Sequence, residues 1–336
     1  LTAAVVAVRR RYPSLLVGWF WFVGMLVPVS GIFQFGIQTM ADRFTYLPQI
    51  GLCLAIAWAL ADAFTSWRLR RPVYAVAAAA ILAILVVCTF RQTSHWRNDW
   101  TFWSRSLAHN PRDWTACHGL GTLCQGSGRV DKAIEYYRRA IAIDPNEPAA
   151  HYNLGVALAS VNRPEEAIEE YQKTIELQPD NAAAMNNLGN LLFLHGDLDK
   201  AMSYCREAVQ LDPDLAEAHF NIGSILFLRG RADEAIGEFR RAVALSPDYP
   251  EAQYALGAVL AQRGQFDEAI DAFRKALEPQ PAFVADIHFA LGNALVARGR
   301  PEEAATHFQK ALALRPDFPA AEYQLKQVLA GKKRAD

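Results

Sequence analysis

Between Trp114 and Pro316 the apolar residues recur at helical spacing, in blocks that come in pairs. His151 to Asp180 shows one pair: HYNLGVALAS, a break at Val161 to Arg163, then PEEAIEEYQKTIEL and a proline stop. Two amphipathic helices joined by a tight turn are predicted, and the same text is then written again and again. Pro111, Pro145, Pro179, Pro213, Pro247 and Pro281 are each 34 residues apart, and Pro316 follows after 35. Gly121, Gly155, Gly189, Gly223, Gly257 and Gly292 hold one phase of this period, and Ala133, Ala167, Ala201, Ala235, Ala269 and Ala304 a second. Tyr137, Tyr171, Cys205, Phe239, Phe273 and Phe308 hold a third.

The small residues fall where two helices cross, so that their backbones can approach, and the aromatic phase fills the space left over. One helix pair cannot bury its apolar face alone, which predicts stacking of neighbours into a curved α-solenoid. Six copies in register over 114–318 resemble the tetratricopeptide repeat (TPR). Ala320 to Ala330 has the spacing of one more helix, with Glu322, Gln324, Lys326 and Gln327 on its other side, so 319–336 reads as a solvating cap and a charged GKKRAD tail.

Upstream the pattern changes to long uncharged runs. Residues 15–33 and 73–90 carry no charge, and 47–64 is apolar except for Gln49 and Asp62. At about 1.5 Å per residue each run can cross, or nearly cross, a hydrocarbon core of roughly 30 Å. Residues 1–90 are therefore expected to form a membrane domain of three full spans. Because of Asp62, a hairpin dipping into the bilayer remains the other reading of the second run. Residues 1–8 are apolar, begin without Met and read as the cut end of an earlier span. Arg9, Arg10 and Arg11 precede the first full span, and Arg68, Arg70 and Arg71 separate the second from the third. The positive-inside rule places both clusters in the cytoplasm and, three crossings on, the repeats outside the cytosol: periplasm, exterior or organelle lumen.

Charge divides the chain at the same place. Up to Arg112 there are 11 basic and 3 acidic residues, net +8; beyond it 23 and 32, net −9. The acidic repeat region has no basic, aromatic-laced surface, which argues against nucleic acid. In the intervening segment 91–113, Trp96, Trp100 and Trp103 fall at helical spacing, and Trp103 lies 34 residues before Tyr137. A half-repeat helix closing the end of the array is predicted, with Trp96 serving packing or a membrane interface. Cys117 and Cys124, seven apart on one helix, are too far apart for a disulfide, and there is no CxxC. His151 and His219 share one repeat phase, which argues packing rather than a metal site. Carboxylate pairs such as Glu165 and Glu166 open second helices, where they complement the helix N-terminus. No catalytic residue and no metal site is assigned.

Two stretches stand out. In the first helix of each repeat, positions two, six, nine and thirteen face a concave groove. Asn153, Asn187 and Asn221 occupy position six, Asn190 and Asn293 position nine, with Tyr152, Phe220 and Tyr254 beside them. A carboxamide both donates and accepts, so such a ladder could hold the backbone of an extended polypeptide. It resembles the asparagine ladder in the TPR arm of O-linked GlcNAc transferases; ordinary solvated surface is the competing reading. These positions carry no Lys or Arg, which argues against a clamp for C-terminal carboxylates.

The other stretch is the loop QFGIQTMADRFTYLPQIGL, preceded by GWFWFVGMLVPVSG. With the spans and the repeats it resembles the transmembrane-and-TPR protein O-mannosyltransferases and their bacterial relatives, of the glycosyltransferase C superfamily. That resemblance implies transfer from a polyprenyl-phosphate sugar donor to polypeptide hydroxyls on the outer face. It further implies that the essential carboxylates lie in an early outer loop absent from this chain. Asp42 and Arg43 match the acidic-Arg pair of the late loop, so the resemblance makes Asp42, Arg43 and Tyr46 a donor-phosphate loop at the lipid surface, where Arg43 would hold the phosphate. The alternative is a structural Asp-Arg pair capping the loop. The expectation is thus an all-α protein, transmembrane helices followed by a TPR solenoid, from the C-terminal portion of such an enzyme. The competitor is a non-enzymatic membrane-tethered scaffold.

Overall fold

The computed structural model describes residues 98–278 and 281–335. The expected spans 15–33, 47–64 and 73–90, the partial span 1–8, Trp96, and Asp42, Arg43 and Tyr46 lie outside the described residues. Among the described residues every regular element is an α-helix, and none is long and apolar enough to cross a membrane. The described residues divide into two compact units, one ending at Ile143 and the other beginning at Asp144.

In the first unit α1 (Asp99–His109), α2 (Trp114–Gly126) and α3 (Val130–Ile143) pack in sequence. The α1 N-terminus is closed by Asn98, whose Oδ1 accepts the Thr101 N–H at 2.8 Å. Trp103 lies so close over α2 that a Cβ on Gly119 would stand 2.5 Å from its ring. Trp100 meets the Tyr136 ring edge-on at 6.4 Å and carries the Arg129 guanidinium over its face at 4.7 Å. Burial pushes the Cys117 thiol up, which leaves it a protonated, inert core residue.

The second unit holds five helix pairs and a last helix. They are α4 (Pro148–Ser160) with α5 (Pro164–Leu177), α6 (Ala182–Leu194) with α7 (Leu198–Leu211), and α8 (Ala216–Leu228) with α9 (Ala232–Leu245). Then come α10 (Pro250–Gln262) with α11 (Phe266–Leu277), α12 (Val284–Ala297) with α13 (Pro301–Leu314), and α14 (Pro319–Ala335). Counting α2 and α3 as the first repeat, these pairs are repeats two to six. Helix α4 begins one turn earlier than its apolar run, because Pro148 is pre-set for a first helical position and Glu147 accepts the Ala149 N–H at 3.3 Å.

Each pair crosses where the sequence places its glycine. A Cβ on Gly155, Gly223, Gly257 or Gly292 would stand 2.5 to 2.8 Å from the ring of Tyr171, Phe239, Phe273 or Phe308 respectively. The ring therefore occupies the volume that any larger residue would need. Pairs then stack on their neighbours, and first helices also touch the first helices of the next repeat, as in a solenoid. The turn inside each pair needs a left-handed residue: Gly196, Gly230, Gly264 and Gly299 supply it, and Asn162 does so in repeat two with φ 59°.

A second set of period-locked contacts runs along the exposed edge. Arg229, Arg263 and Arg298, each just after a first helix, reach back to Asp199, Asp233 and Asp267 of the preceding repeat at 2.5, 2.5 and 2.7 Å. Being solvated, such pairs are worth about 0–1 kcal/mol each and tune rather than create the stack.

Candidate peptide-binding groove

The face expected to hold a peptide is built from α4, α6, α8, α10 and α12, and its five asparagines are not alike. Asn187 donates to the Tyr152 hydroxyl of the preceding repeat at 3.3 Å. Asn221 donates to Asn186 Oδ1 at 2.8 Å, and the two are only 7 % and 6 % exposed. Asn153 is half-buried. Asn190 and Asn293 are half-buried and have no hydrogen-bond partner among the described residues, so both carboxamides are open to a ligand.

The expectation that position six faces solvent therefore fails at Asn221. The reason is Asn186, which stands in the phase that holds Tyr152, Phe220 and Tyr254 in other repeats. An asparagine there leaves a polar group inside the stack, and the next repeat turns its own carboxamide inward to satisfy it.

The three aromatics beside the asparagines are also partly committed. Phe220 lies 5.8 Å from Phe239 and 5.3 Å from Tyr249; Tyr254 lies 5.7 Å from both Phe273 and Phe283. Tyr152 meets Tyr171 at 6.0 Å. These rings couple one repeat to the next and present only part of their surface outward. Burial, then nearby Asp286, pushes the Tyr254 phenol up, so it stays protonated and can donate a hydrogen bond at neutral pH.

His151 and His219 sit behind this face. The ring of His151 is 2.6 Å from the Glu170 carboxylate and 3.0 Å from the Pro145 carbonyl, and His219 repeats this with Glu238 at 2.7 Å and Pro213 at 3.1 Å. Both are buried pieces of packing. The Glu and Pro partners lie 19 residues after and six before each histidine, a spacing readable in the sequence once the two repeats are aligned.

Profiles of the tetratricopeptide repeat match residues 152–216, 214–278 and 285–318, and a TPR repeat profile matches 126–162. The chain carries tetratricopeptide repeats. Solved TPR-like structures agree in fold. A chain of the APC/C hetero-tetramer Cut9-Hcn1 superposes with TM-score 0.61 at 21% identity, covering 70% of this chain and 46% of that one. Pseudomonas aeruginosa pilF superposes with TM-score 0.57 at 21% identity, covering 66% and 100%. Among curated proteins, Protein O-mannosyl-transferase Tmtc2 of Drosophila melanogaster is 26% identical over 125 residues, 37% of this chain and 13% of that protein. Protein O-mannosyl-transferase TMTC4 of Mus musculus is 25% identical over 130 residues, 39% of this chain and 17% of that protein. The similarity thus spans under a fifth of those relatives' length.

Proposed function

We propose that the TPR array binds extended polypeptide along the face carrying Asn190 and Asn293, and that it serves a polyprenyl-phosphate-sugar-dependent protein O-glycosyltransferase from the non-cytoplasmic side of a membrane. The peptide reading rests on one observation: two half-buried carboxamides without partners, at position nine, on a face lacking Lys and Arg. Such groups recognise backbone amides whatever the side chains. The transferase reading is supported by the relatives named O-mannosyl-transferase and by the loop with Asp42, Arg43 and Tyr46. In it Arg43 holds the lipid phosphate of the sugar donor and the repeats present the acceptor.

The test for the groove is the double substitution Asn190→Ala, Asn293→Ala, with binding of an unfolded polypeptide followed by anisotropy. Each neutral hydrogen bond is worth about 0.5–1.5 kcal/mol net, so affinity should fall about fivefold to a hundredfold, by similar factors for unrelated peptide sequences. Unchanged affinity would make these positions ordinary solvated surface. For the transferase, membranes containing the protein should pass sugar from a polyprenyl-phosphate donor to a Ser/Thr-bearing acceptor, and Arg43→Gln should reduce this. Peptide binding without any transfer would leave a membrane-tethered scaffold instead.

A further inference from the structure

On the other side of α10 from the groove the surface is notched. The opening, 580 Å³, lies between α9 and α11 with α10 as its floor, and its most buried polar group is Gln253. Gln253 and the groove-side Ala255 are two residues apart, hence about 200° apart around the helix, so the notch and the groove are separate surfaces.

The notch exists because one repeat omits a side chain that the others keep. At the phase of Ala272 the other repeats of this unit have Glu170, Tyr204, Glu238 and His307; at the phase of Gln253 they have His151, Met185, His219 and His288. Elsewhere the two phases close on each other: His151 on Glu170 at 2.6 Å, His219 on Glu238 at 2.7 Å, His288 on His307 at 3.0 Å, and Met185 within an apolar cluster that Tyr204 packs against. With Ala at 272 nothing closes on Gln253. It is 5 % exposed, yet its carboxamide has no hydrogen-bond partner among the described residues. Buried polar groups are almost always paired, so an unpaired one lining an open notch points to a partner from outside.

The lining says what kind. The walls are apolar, with Val243, Leu256 and Leu260, while the rim has Asp248, Glu268, Asp271 and Glu278 against Arg240 and Lys275. Arg240 is held by Glu268 at 2.6 Å, and Asp248 and Glu278 have no ion-pair partner among the described residues. An occupant needs an apolar stem for the walls, positive charge for the rim and N–H groups for the Gln253 oxygen. An arginine side chain meets all three, its methylene stem lying on the walls, and its weakly hydrated guanidinium enters an apolar notch more readily than an ammonium. We infer that the notch between α9 and α11 is a docking site for an arginine side chain of a partner polypeptide.

The full-length protein can be titrated against a short fluorescein-labelled alanine peptide with one central arginine, and against its isosteric citrulline twin. The arginine peptide should bind about tenfold or more tightly than the twin, as expected for a charge-assisted contact. Ala272→Tyr, which installs the side chain found at Tyr204, should fill the notch and remove that preference. Gln253→Leu should weaken binding about fivefold without lowering the melting temperature, since it deletes a buried unpaired amide. Equal binding of both peptides, or unchanged binding by Ala272→Tyr protein of normal helicity, overturns the proposal; if Ala272→Tyr misfolds, unchanged binding by Gln253→Leu does so. Loss of arginine binding in the Asn190→Ala, Asn293→Ala protein would also overturn it, by moving the contact to the groove.

Discussion

In repeat five Tyr254 sits 5.7 Å from Phe273 within its own pair and 5.7 Å from Phe283 of the next, while at the first two of these phases repeat three has Asn186 and Cys205. The backbones follow the same course, and the glycine crossing survives, with Gly189 over the Cys205 sulfur where Gly257 lies over the Phe273 ring. Repeat five fills its crossing with ring volume. Repeat three fills it with a small thiol and links to repeat four through the Asn186 to Asn221 hydrogen bond. The period constrains which atoms must be small, and it leaves open whether the remaining space is held by dispersion or by directed polar contacts.

The comparison would break most visibly at the rings. Phe273 is 1 % exposed, so Phe273→Ala should cost about 3–5 kcal/mol in urea unfolding, against about 1–2 kcal/mol for Cys205→Ala, which deletes far less volume. Equal losses would mean that the crossing is not where repeat five stores its stability. A smaller effect is expected from the polar link. Asn221→Ala strands the Asn186 oxygen inside the stack and should cost about 1–3 kcal/mol, whereas replacing both asparagines by Leu should recover much of that. A double variant as unstable as the single one would show that the pair matters through shape and not through its hydrogen bond.

The smallest effect concerns repeat six, where His307 stands at the phase of Glu170 and Glu238. Burial, then His288, Lys310 and Arg274, hold His307 down at about 4 against an ordinary 6.5, with Glu303 opposing; burial and Lys310 also lower His288. The unfolded chain therefore takes up its proton first as the solution is acidified. Stability from this pair is complete above pH 6.5 and is lost as pH falls toward about 4. Partial solvent screening limits the loss to on the order of 1–2 kcal/mol, and a melting series in Glu303-intact protein with His307→Gln should show a flatter acid limb. An unaltered limb would place the acid sensitivity among the carboxylates instead.

Much of this architecture was legible in the chain. Helix pairs follow from apolar spacing, and Gly155, Gly223, Gly257 and Gly292 announce the crossings because only a missing side chain admits a ring there. The groove was less legible. Its face follows from helical geometry, but a single helix wheel cannot show that Asn186 has displaced an aromatic and drawn Asn221 inward. Likewise Gln253 becomes conspicuous only when Ala272 is read against Glu238 and His307. Both cases are substitutions coupled between elements, so each is silent until the helices are set side by side. The period also hid the Arg263 to Asp233 edge pairs, whose residues are 30 apart and obey the repeat without touching its apolar pattern.

Repeats that share one period raise a problem of counting. A folding or recombining array can slip by a whole period, since every ring finds another glycine one repeat along. The buried amide pair does not tolerate that freedom. Asn186 is satisfied by Asn221 and by its place one repeat before it; shifted by one period, it would face Ala255, which offers no side-chain donor. A single directed bond thus marks repeats three and four as neighbours within a common period, much as one buried asparagine can fix the register of a coiled coil.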